Sequence, residues 1–475
     1  MISFSGEEVQ TVFHADSLHV GVKEKGKGVC TDTRTLQKGE LFFALKGPHF
    51  DGNRFCEDAV KKGAWGVVVD RKSWIVNRGS EKRITNHESQ SHWIFEVKDT
   101  LTALGDLAAW WRKKFSIPCV AITGSNGKTT TKEMVASILG FKGAVLKTEG
   151  NFNNLIGLPL TISRWENSHR YAVLEMGMSD FGEIKRLTEI AAPTVGCVTN
   201  VAAAHLEKLG EMEDVARAKG EMFSAMNSSG MIVVNAEDPL VCKKAELFRG
   251  KKIFFGMQKH CEVRFEHWEQ KSLDEMFIRF SIQGRICEVL LPFSGFHNVM
   301  NCLAAAAVAL AVSASDVEIL QGLQKIVPLK MRFEQVQLAN GVRLVNDCYN
   351  ANPGSMEMAF RTVGSAKRAG RFIAVLGDML ELGGKSPELH RDLGKKAVEH
   401  GANKLFLVGS FSKNIAEGAI SAGILSKDIV RVEKKEDLNP ILEKEVKKGD
   451  VVLVKASRGM GLETVAHFLK DTYGI

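Results

Sequence analysis

One stretch constrains the chain more than any other. Val120, Ala121 and Ile122 form a short apolar run after Pro118, and Thr123, Gly124, Ser125, Asn126, Gly127, Lys128, Thr129 and Thr130 follow at once. A run of this kind reads as a buried parallel strand. The two glycines bracket a tight turn, and Met134, Val135 and Ile138 continue as one face of a helix. Strand, glycine loop and helix N-terminus together present backbone N–H groups and a positive dipole end to an anion. Lys128 is placed to reach the terminal phosphates of a nucleotide, and the Thr129 hydroxyl to meet a magnesium ion, so ATP and Mg2+ are the expected cofactors. The spacing is shorter than the common form: Ile122 stands where the first glycine usually falls, and Gly124 replaces it. A glycine-rich turn before an ordinary helix is the alternative. The Gly-Lys-Thr triplet in a strand-to-helix setting favours the phosphate loop.

At 475 residues the chain is too long for a single core. Its alternation of apolar runs and amphipathic segments predicts an α/β protein of three domains, at 1–98, 99–328 and 329–475. In the first, strands are expected at Leu41–Leu45 and Trp65–Val69, with a helix at Phe55–Lys62. The polar residues Asp32, Thr33, Arg34, Lys46 and Asp51 lie between them. They could hold a nucleotide sugar or diphosphate, or simply serve turn chemistry. Residues 72–92 read as a surface loop, and Asp99–Phe115 as an amphipathic helix. The central region predicts parallel strands at Tyr171–Leu174, Val195–Thr199, Met231–Val234 and Lys252–Phe255. Antiparallel strands are expected at one edge between Arg264 and Pro292, and then a buried alanine-rich helix at Leu303–Val312. The last domain repeats the doubly wound pattern, with strands at Arg343–Val345, Phe372–Leu376, Lys404–Val408 and Val451–Val454. Ligands gather at strand C-termini in such sheets. There the sequence places Glu175, Asn200, Asn235 and Asp238, then the segments Asn346–Asn352, Gly377–Asp378 and Lys455–Arg458.

Composition narrows the class. Hydrophobic residues at 44% and charged residues at 25% describe an ordinary globular chain. The net charge of +7 is spread without a basic block, so nucleic-acid binding is not indicated. The nine cysteines have neither CxxC pairs nor metal-ligand spacing, which fits a reducing cytoplasm. The N-terminus does not read as a signal peptide, and the longest apolar run is too short for a membrane span. A cytoplasmic monomer is the expectation.

Glu175 ends a strand close to the phosphate loop, and a carboxylate there suits magnesium, which favours hard oxygen donors. His205 alone reads as a packed or solvent-facing histidine, and Lys219 alone as a solvated helix lysine. Order and company change that reading. Gly124-Ser-Asn-Gly-Lys-Thr-Thr130, Glu175-Met-Gly-Met178, Thr199-Asn-Val-Ala-Ala-Ala-His205, Ala218-Lys-Gly-Glu221, His297-Asn-Val-Met-Asn301 and Arg332-Phe-Glu334 occur in this sequence. The chain resembles the Mur ligases, the ATP-dependent amide-forming family of bacterial cell-wall synthesis, in motif order and over its whole length. Within that family, Asp347-Cys-Tyr-Asn-Ala-Asn-Pro353 and Leu376-Gly-Asp-Met-Leu-Glu-Leu382 are similar to the member that adds D-alanyl-D-alanine. Three positions depart from the family pattern: Asn53 in place of histidine, Met331 in place of glycine, and Ala202-Ala203 before His205.

The resemblance implies an N-terminal uridine-nucleotide domain, a central P-loop ATPase domain with a mostly parallel sheet, and a C-terminal Rossmann-like domain. It implies that ATP phosphorylates the terminal carboxylate of a UDP-muramoyl-tripeptide and that the amine of D-alanyl-D-alanine attacks the acyl phosphate. Lys128 would neutralise charge. Thr129 and Glu175 would hold one magnesium ion, and Glu175 and His205 a second, with a carbamylated Lys219 as a further oxygen ligand. Gly124 to Thr130 would cradle phosphate, Asn298 and Asn301 would read adenine, and Arg332 and Asp347 would touch phosphate and ribose. Asp32, Thr33, Arg34, Lys46, Asp51 and Asn154 fall on the UDP-substrate side, and Tyr349, Asn350 and Asn352 on the dipeptide side. A hinge is expected near Pro328. Relatives accepting a single amino acid, or a nucleotide-dependent binding protein without ligation, are the competing readings.

Overall fold

In the computed structural model, residues 1–14, 17–18, 24–48, 50–70, 92–204, 206–366 and 370–474 are described. The strand Cys119–Thr123 is buried along its whole length and runs parallel to both neighbours, His169–Glu175 and Val195–Val198. Its side chains alternate between two cores. Val120 and Ile122 face the alanine-rich helix Phe296–Ala311 and the helix Lys128–Leu139. Cys119 and Ala121 face Leu158, Ile162 and Met222. A strand covered by helices on both faces needs no polar side, which is why its sequence is continuously apolar.

Around it the central sheet has nine strands. From one edge they are Arg285–Leu291, Met276–Ile282, Val263–Gln270, Lys251–Gly256, Met231–Asn235, Val195–Val198, Cys119–Thr123, His169–Glu175 and Ala144–Lys147. The three strands from Val263 to Leu291 pair antiparallel at that edge, as expected, and the rest are parallel. The C-terminal sheet has six strands, in the order Glu334–Gln337, Arg343–Asn346, Val451–Lys455, Phe372–Leu376, Lys404–Val408 and Ile429–Val432, and only the first pairs antiparallel. The N-terminal sheet orders Ser17–Leu18, Trp93–Val97, Gly66–Asp70, Leu41–Phe43 and Val29–Cys30.

Several boundaries move for local reasons. The helix expected at Asp99–Phe115 is Thr100–Arg112, because the Asp99 side chain accepts from Thr102 N–H as an N-cap. The helix expected at Phe55–Lys62 is Cys56–Lys61, preceded by a 3-10 turn at Gly52–Phe55 that the Asp51 carboxylate caps. The strand expected to reach Leu45 stops at Phe43. The loop expected at 72–92 falls, except for His92, outside the described residues. Among the described residues no helix is long and apolar enough to cross a membrane.

The phosphate-loop helix is fixed at its far end by close packing. A Cβ on Gly322, in the helix Asp316–Gln324, would lie 2.2 Å from Ile138 Cα, and Ser137 Oγ donates to Gly322 O at 2.7 Å. Gly322→Ala is therefore expected to force the two helices apart and to destabilise the chain by about 1–3 kcal/mol. A chemical-denaturation midpoint unchanged from wild type would contradict that packing.

Candidate active site

The glycine loop has no room for side chains. Gly124 has φ +143° and a Cβ there would sit 1.9 Å from Thr199 Oγ1; Gly127 has φ +80° and a Cβ there would sit 2.1 Å from Asn301 Oδ1. A second loop clamps the first. Thr199 Oγ1 donates to Asn126 O at 2.6 Å, Asn200 Oδ1 accepts from Asn126 N at 3.0 Å, and Asn200 Nδ2 donates back to Asn126 O at 3.0 Å. Ser125 Oγ bonds both the O and the N of Ala202, at 3.0 and 2.9 Å. The residues after Thr199 thus have a backbone task. Ala202, one of the departures from the family pattern, performs it through main-chain atoms that any residue except proline provides.

Lys128 folds back over the loop, with Nζ donating to Gly124 O at 2.7 Å. Burial lowers its pKa, Glu175 opposes that shift, and Arg332 adds to it. Glu175 is 2% exposed; Asn153 Nδ2 donates to its Oε1 at 2.8 Å, while its Oε2 is buried and has no hydrogen-bond partner among the described residues. Such an atom calls for a cation or an ordered donor. Asn153 was not among the residues expected in the site. It also accepts Gly177 N–H through its backbone oxygen at 2.8 Å, and only a three-dimensional contact reveals the pairing. The neighbouring Asn154 instead caps the backbone N–H groups of Ile156 and Gly157 at 3.1 and 2.9 Å.

Lys219 corrects the solvated-lysine reading. It lies inside the helix Met212–Ala225 at 2% exposure, and its Nζ has no hydrogen bond or ion pair among the described residues. Burial pushes its pKa well below the ordinary 10.5, with Lys128 adding to the shift. Burial thus favours the neutral, nucleophilic form of its amine. Glu221, two residues on, caps the helix Glu183–Ala191 through Gly182 N at 2.8 Å and Lys185 N at 3.1 Å. His205 lies outside the described residues.

The third domain closes over this centre. Arg332 Nη2 donates to Thr129 Oγ1 at 2.7 Å, and its guanidinium lies 3.7 Å from the Tyr349 ring centroid. Asn352 Nδ2 donates to Asn126 Oδ1 at 2.8 Å while its own Oδ1 caps the helix Pro353–Ser365. Asp347 is held by Lys455 Nζ at 2.6 Å and by Phe333 N at 3.0 Å, and Lys455 is buried. Asn350 is exposed, and its Oδ1 accepts Ala351 N–H at 2.9 Å. Asn298 and Asn301 are buried, hydrogen-bonded to each other at 3.0 Å, and sit beneath Gly127. Thr130 follows in the helix Lys128–Leu139. The structure thus brings Gly124 to Thr130, Glu175, Lys219, Arg332, Tyr349 and Asn352 to one cleft.

The N-terminal candidates form a separate group. Asp32 accepts from Arg34 Nη2 at 2.6 Å and from Arg34 N at 2.9 Å, and that partner holds its carboxyl down at about 2. Thr33 offers its carbonyl to Lys62 Nζ at 3.0 Å. Lys46 and Asp51 face each other in an isolated antiparallel bridge. The Asp32–Arg34 and Lys46–Asp51 contacts are local turn chemistry, whereas Thr33 is tied to Lys62 across 29 residues, and among the described residues none of these bonds joins the phosphate loop.

A phosphate loop with a buried carboxylate oxygen unpartnered among the described residues, a buried lysine and an arginine from a second domain defines a nucleotide-dependent group-transfer centre. Family models match three consecutive parts: "Mur ligase family, catalytic domain" at 25–112, "Mur ligase middle domain" at 122–309, and "Mur ligase, glutamate ligase domain" at 331–458. The UDP-N-acetylmuramoyl-tripeptide–D-alanyl-D-alanine ligase of Bacillus subtilis is 36% identical over 446 residues, covering 94% of this chain and 93% of the relative. The enzyme of that name from Escherichia coli is 35% identical, covering 93% of each. Among solved structures, MurF from Acinetobacter baumannii superimposes with a TM-score of 0.88 at 28% identity over 99% of both chains. MurF ligase from Thermotoga maritima in complex with ADP gives 0.80 at 28% identity, over 94% of this chain and 97% of that one. The chain belongs to the Mur ligase family.

Two outcomes follow from this geometry. Gly127→Ala should strain a left-handed position and push Asn301 away, weakening nucleotide binding at least about tenfold; calorimetric titration with ADP that matches wild type would contradict it. His297, buried near Asp347 and Lys455, has its pKa lowered from 6.5 to about 4 by that burial. The unfolded chain therefore binds more protons between those values, so folding stability should fall as pH drops from about 6.5 to about 4. His297→Gln should flatten this slope in denaturation series across that window, and an unchanged slope would refute the assignment.

Proposed function

We infer that this chain is an ATP-dependent ligase that joins D-alanyl-D-alanine to UDP-N-acetylmuramoyl-tripeptide, giving the pentapeptide precursor of peptidoglycan. What carries the reading is the cleft in which one phosphate loop, one buried carboxylate and the Tyr349–Asn352 segment of another domain meet, in a chain similar to such ligases along nearly its whole length. Chemically, a carboxylate oxygen of the tripeptide attacks the γ-phosphorus, its bond to the β-bridging oxygen breaks, and ADP leaves. The dipeptide amine then attacks the acyl carbon, loses a proton, and phosphate departs with the C–O bonding pair. Two anions must meet in the first step. Lys128 and Arg332 supply the opposing charge, and the loop N–H groups orient the phosphates.

The donor set suits magnesium. Glu175 Oε2 is a hard anionic oxygen with no other partner among the described residues, and Thr129 offers a hydroxyl that now accepts from Arg332. No cluster of three or more His, Cys, Asp or Glu side chains fit for a metal occurs among the described residues, so phosphate and water would complete the shell. We assign Thr129 and Glu175 to one ion, and Glu175, His205 and Lys219 to a second. Burial lowers the Lys219 pKa, and the neutral form of that amine can add to carbon dioxide with loss of a proton, which turns it into an anionic oxygen donor. Bound magnesium would supply further charge neutralisation. Asn298 and Asn301 take the adenine side, Asp347 the ribose, Asp32, Thr33, Arg34, Lys46, Asp51 and Asn154 the UDP substrate, and Tyr349, Asn350 and Asn352 the dipeptide. The proposal includes a cytoplasmic monomer with domain limits at 98/99 and 328/329 and a hinge near Pro328.

Purified protein should release phosphate only when ATP, magnesium, the UDP-tripeptide and D-alanyl-D-alanine are all present. Release that ignores the dipeptide, or that needs a single amino acid instead, would reject the reading. Lys219→Ala should lose nearly all turnover and regain part of it with short-chain carboxylates; full activity without them would remove the carbamate.

A further inference from the structure

The segment Lys455–Arg458 stands at the C-terminal end of the strand Val451–Lys455, and all but one of its polar side chains are committed to the backbone of the neighbouring loop or to a buried pair. Lys455 Nζ donates to Asn350 O at 3.1 Å as well as to Asp347 Oδ2. Ser457 Oγ donates to Ala351 O at 3.3 Å and accepts Leu380 N–H at 2.9 Å. These contacts staple down the loop that carries Tyr349, Asn350 and Asn352. The remaining group is the Arg458 guanidinium. It is 60% exposed, bonds the Met331 thioether at 3.4 Å, and makes one loose ion pair with Glu463 at 3.8 Å. It lies 5.8 Å from the Tyr349 ring, which also bears Arg332, and Arg332 in turn is bonded to Thr129. A series of contacts therefore runs from the phosphate loop to a largely exposed guanidinium.

Resting on the ligase reading above, we propose that Arg458 binds the free carboxylate of the incoming dipeptide and so selects an acceptor ending in an acid. The chemistry requires such a group. The acceptor spends its amine in the reaction and keeps its carboxylate, and a planar guanidinium matches that carboxylate with two parallel hydrogen bonds. Arg332 is already engaged at Thr129, and Lys455 is buried against Asp347, whereas Arg458 keeps an exposed face beside the loop and is held only by a loose ion pair. Arg458 touches no reacting atom, so its effect falls on acceptor affinity.

The experiment compares D-alanyl-D-alanine with its C-terminal amide as acceptors for the wild-type chain, Arg458→Lys and Arg458→Gln. Wild type should favour the acid by at least about tenfold in kcat/KM. Arg458→Gln should raise KM for the acid by a similar factor, leave the amide within twofold, and leave KM for ATP and the UDP-tripeptide unchanged. Arg458→Lys should recover part of the preference. An active Arg458→Gln enzyme that keeps the wild-type preference overturns this inference alone. A wild-type enzyme that ligates neither acceptor overturns the ligase reading with it. A variant that loses acid and amide equally marks a structural role and also overturns the proposal.

Discussion

The site depends on keeping cations out of water beside a single carboxylate. Burial lowers the pKa of both Lys128 and Lys219, and the charge of Lys128 adds to the shift at Lys219. Glu175 is the anion set against this excess, and among the described residues only one of its oxygens has a hydrogen-bond partner. Charges arranged this way cost stability in the absence of a partner, and a triphosphate with its counter-ions is the partner that removes the cost. Low exposure also strengthens each interaction with a bound anion. The same burial that makes the lysines awkward for the fold makes them effective for phosphate.

That arrangement holds only if the glycine loop cannot move, and the loop is held from outside itself. Thr199 and Asn200 bind its backbone, Ala202 binds the Ser125 hydroxyl, Asn301 fills the space under Gly127, and Asn352 reaches it from the third domain. Asn235 supports the clamp in turn by donating to Thr199 O at 2.8 Å, and Asp238 accepts Val201 N–H at 2.7 Å. Polar residues at successive strand ends thus form one hydrogen-bonded layer across the sheet. The rule that ligands gather at strand C-termini has a concrete cause here: side chains at those ends fix each other's loops.

The sequence disclosed the inner strands well and the edges poorly. Phe372–Leu376 and Lys404–Val408 are fully buried apolar runs, and their limits match expectation. Ala144–Lys147, Glu334–Gln337 and Ile429–Val432 were missed because edge strands are half exposed and carry polar residues without a periodic signature. In the site, the phosphate loop was legible from local chemistry. Lys219 was not, since helical periodicity cannot tell a buried lysine from a solvated one, and only resemblance singled it out. Asn153 carries no local signal, and the strand-end position of Lys455 and Ser457 does not disclose what they bond. Their roles arise from contacts between segments far apart in the chain, as when Ser457 meets a carbonyl 106 residues away.

Arg332 shows how the interdomain geometry is set. Met331 and Phe333 on either side have φ of +60° and +53°, a left-handed conformation that costs about 1 kcal/mol or more for each side chain. Three bonds impose it. Glu334 Oε2 accepts Met331 N–H at 2.9 Å, Asp347 accepts Phe333 N–H at 3.0 Å, and Tyr349 N donates to Met331 O at 3.1 Å. Lys470 Nζ, at 2.8 Å, fixes Glu334 in its turn. Every one of these partners belongs to the C-terminal sheet or the elements packed on it, so Arg332 is rigidly part of that domain although it follows the linker by only a few residues. Any rotation about the segment near Pro328 must therefore carry Arg332 as a body with Tyr349 and Asn352. Thr129 and Asn126 then lose their third-domain partners together, which couples access to the phosphate loop to the position of the Tyr349–Asn352 segment.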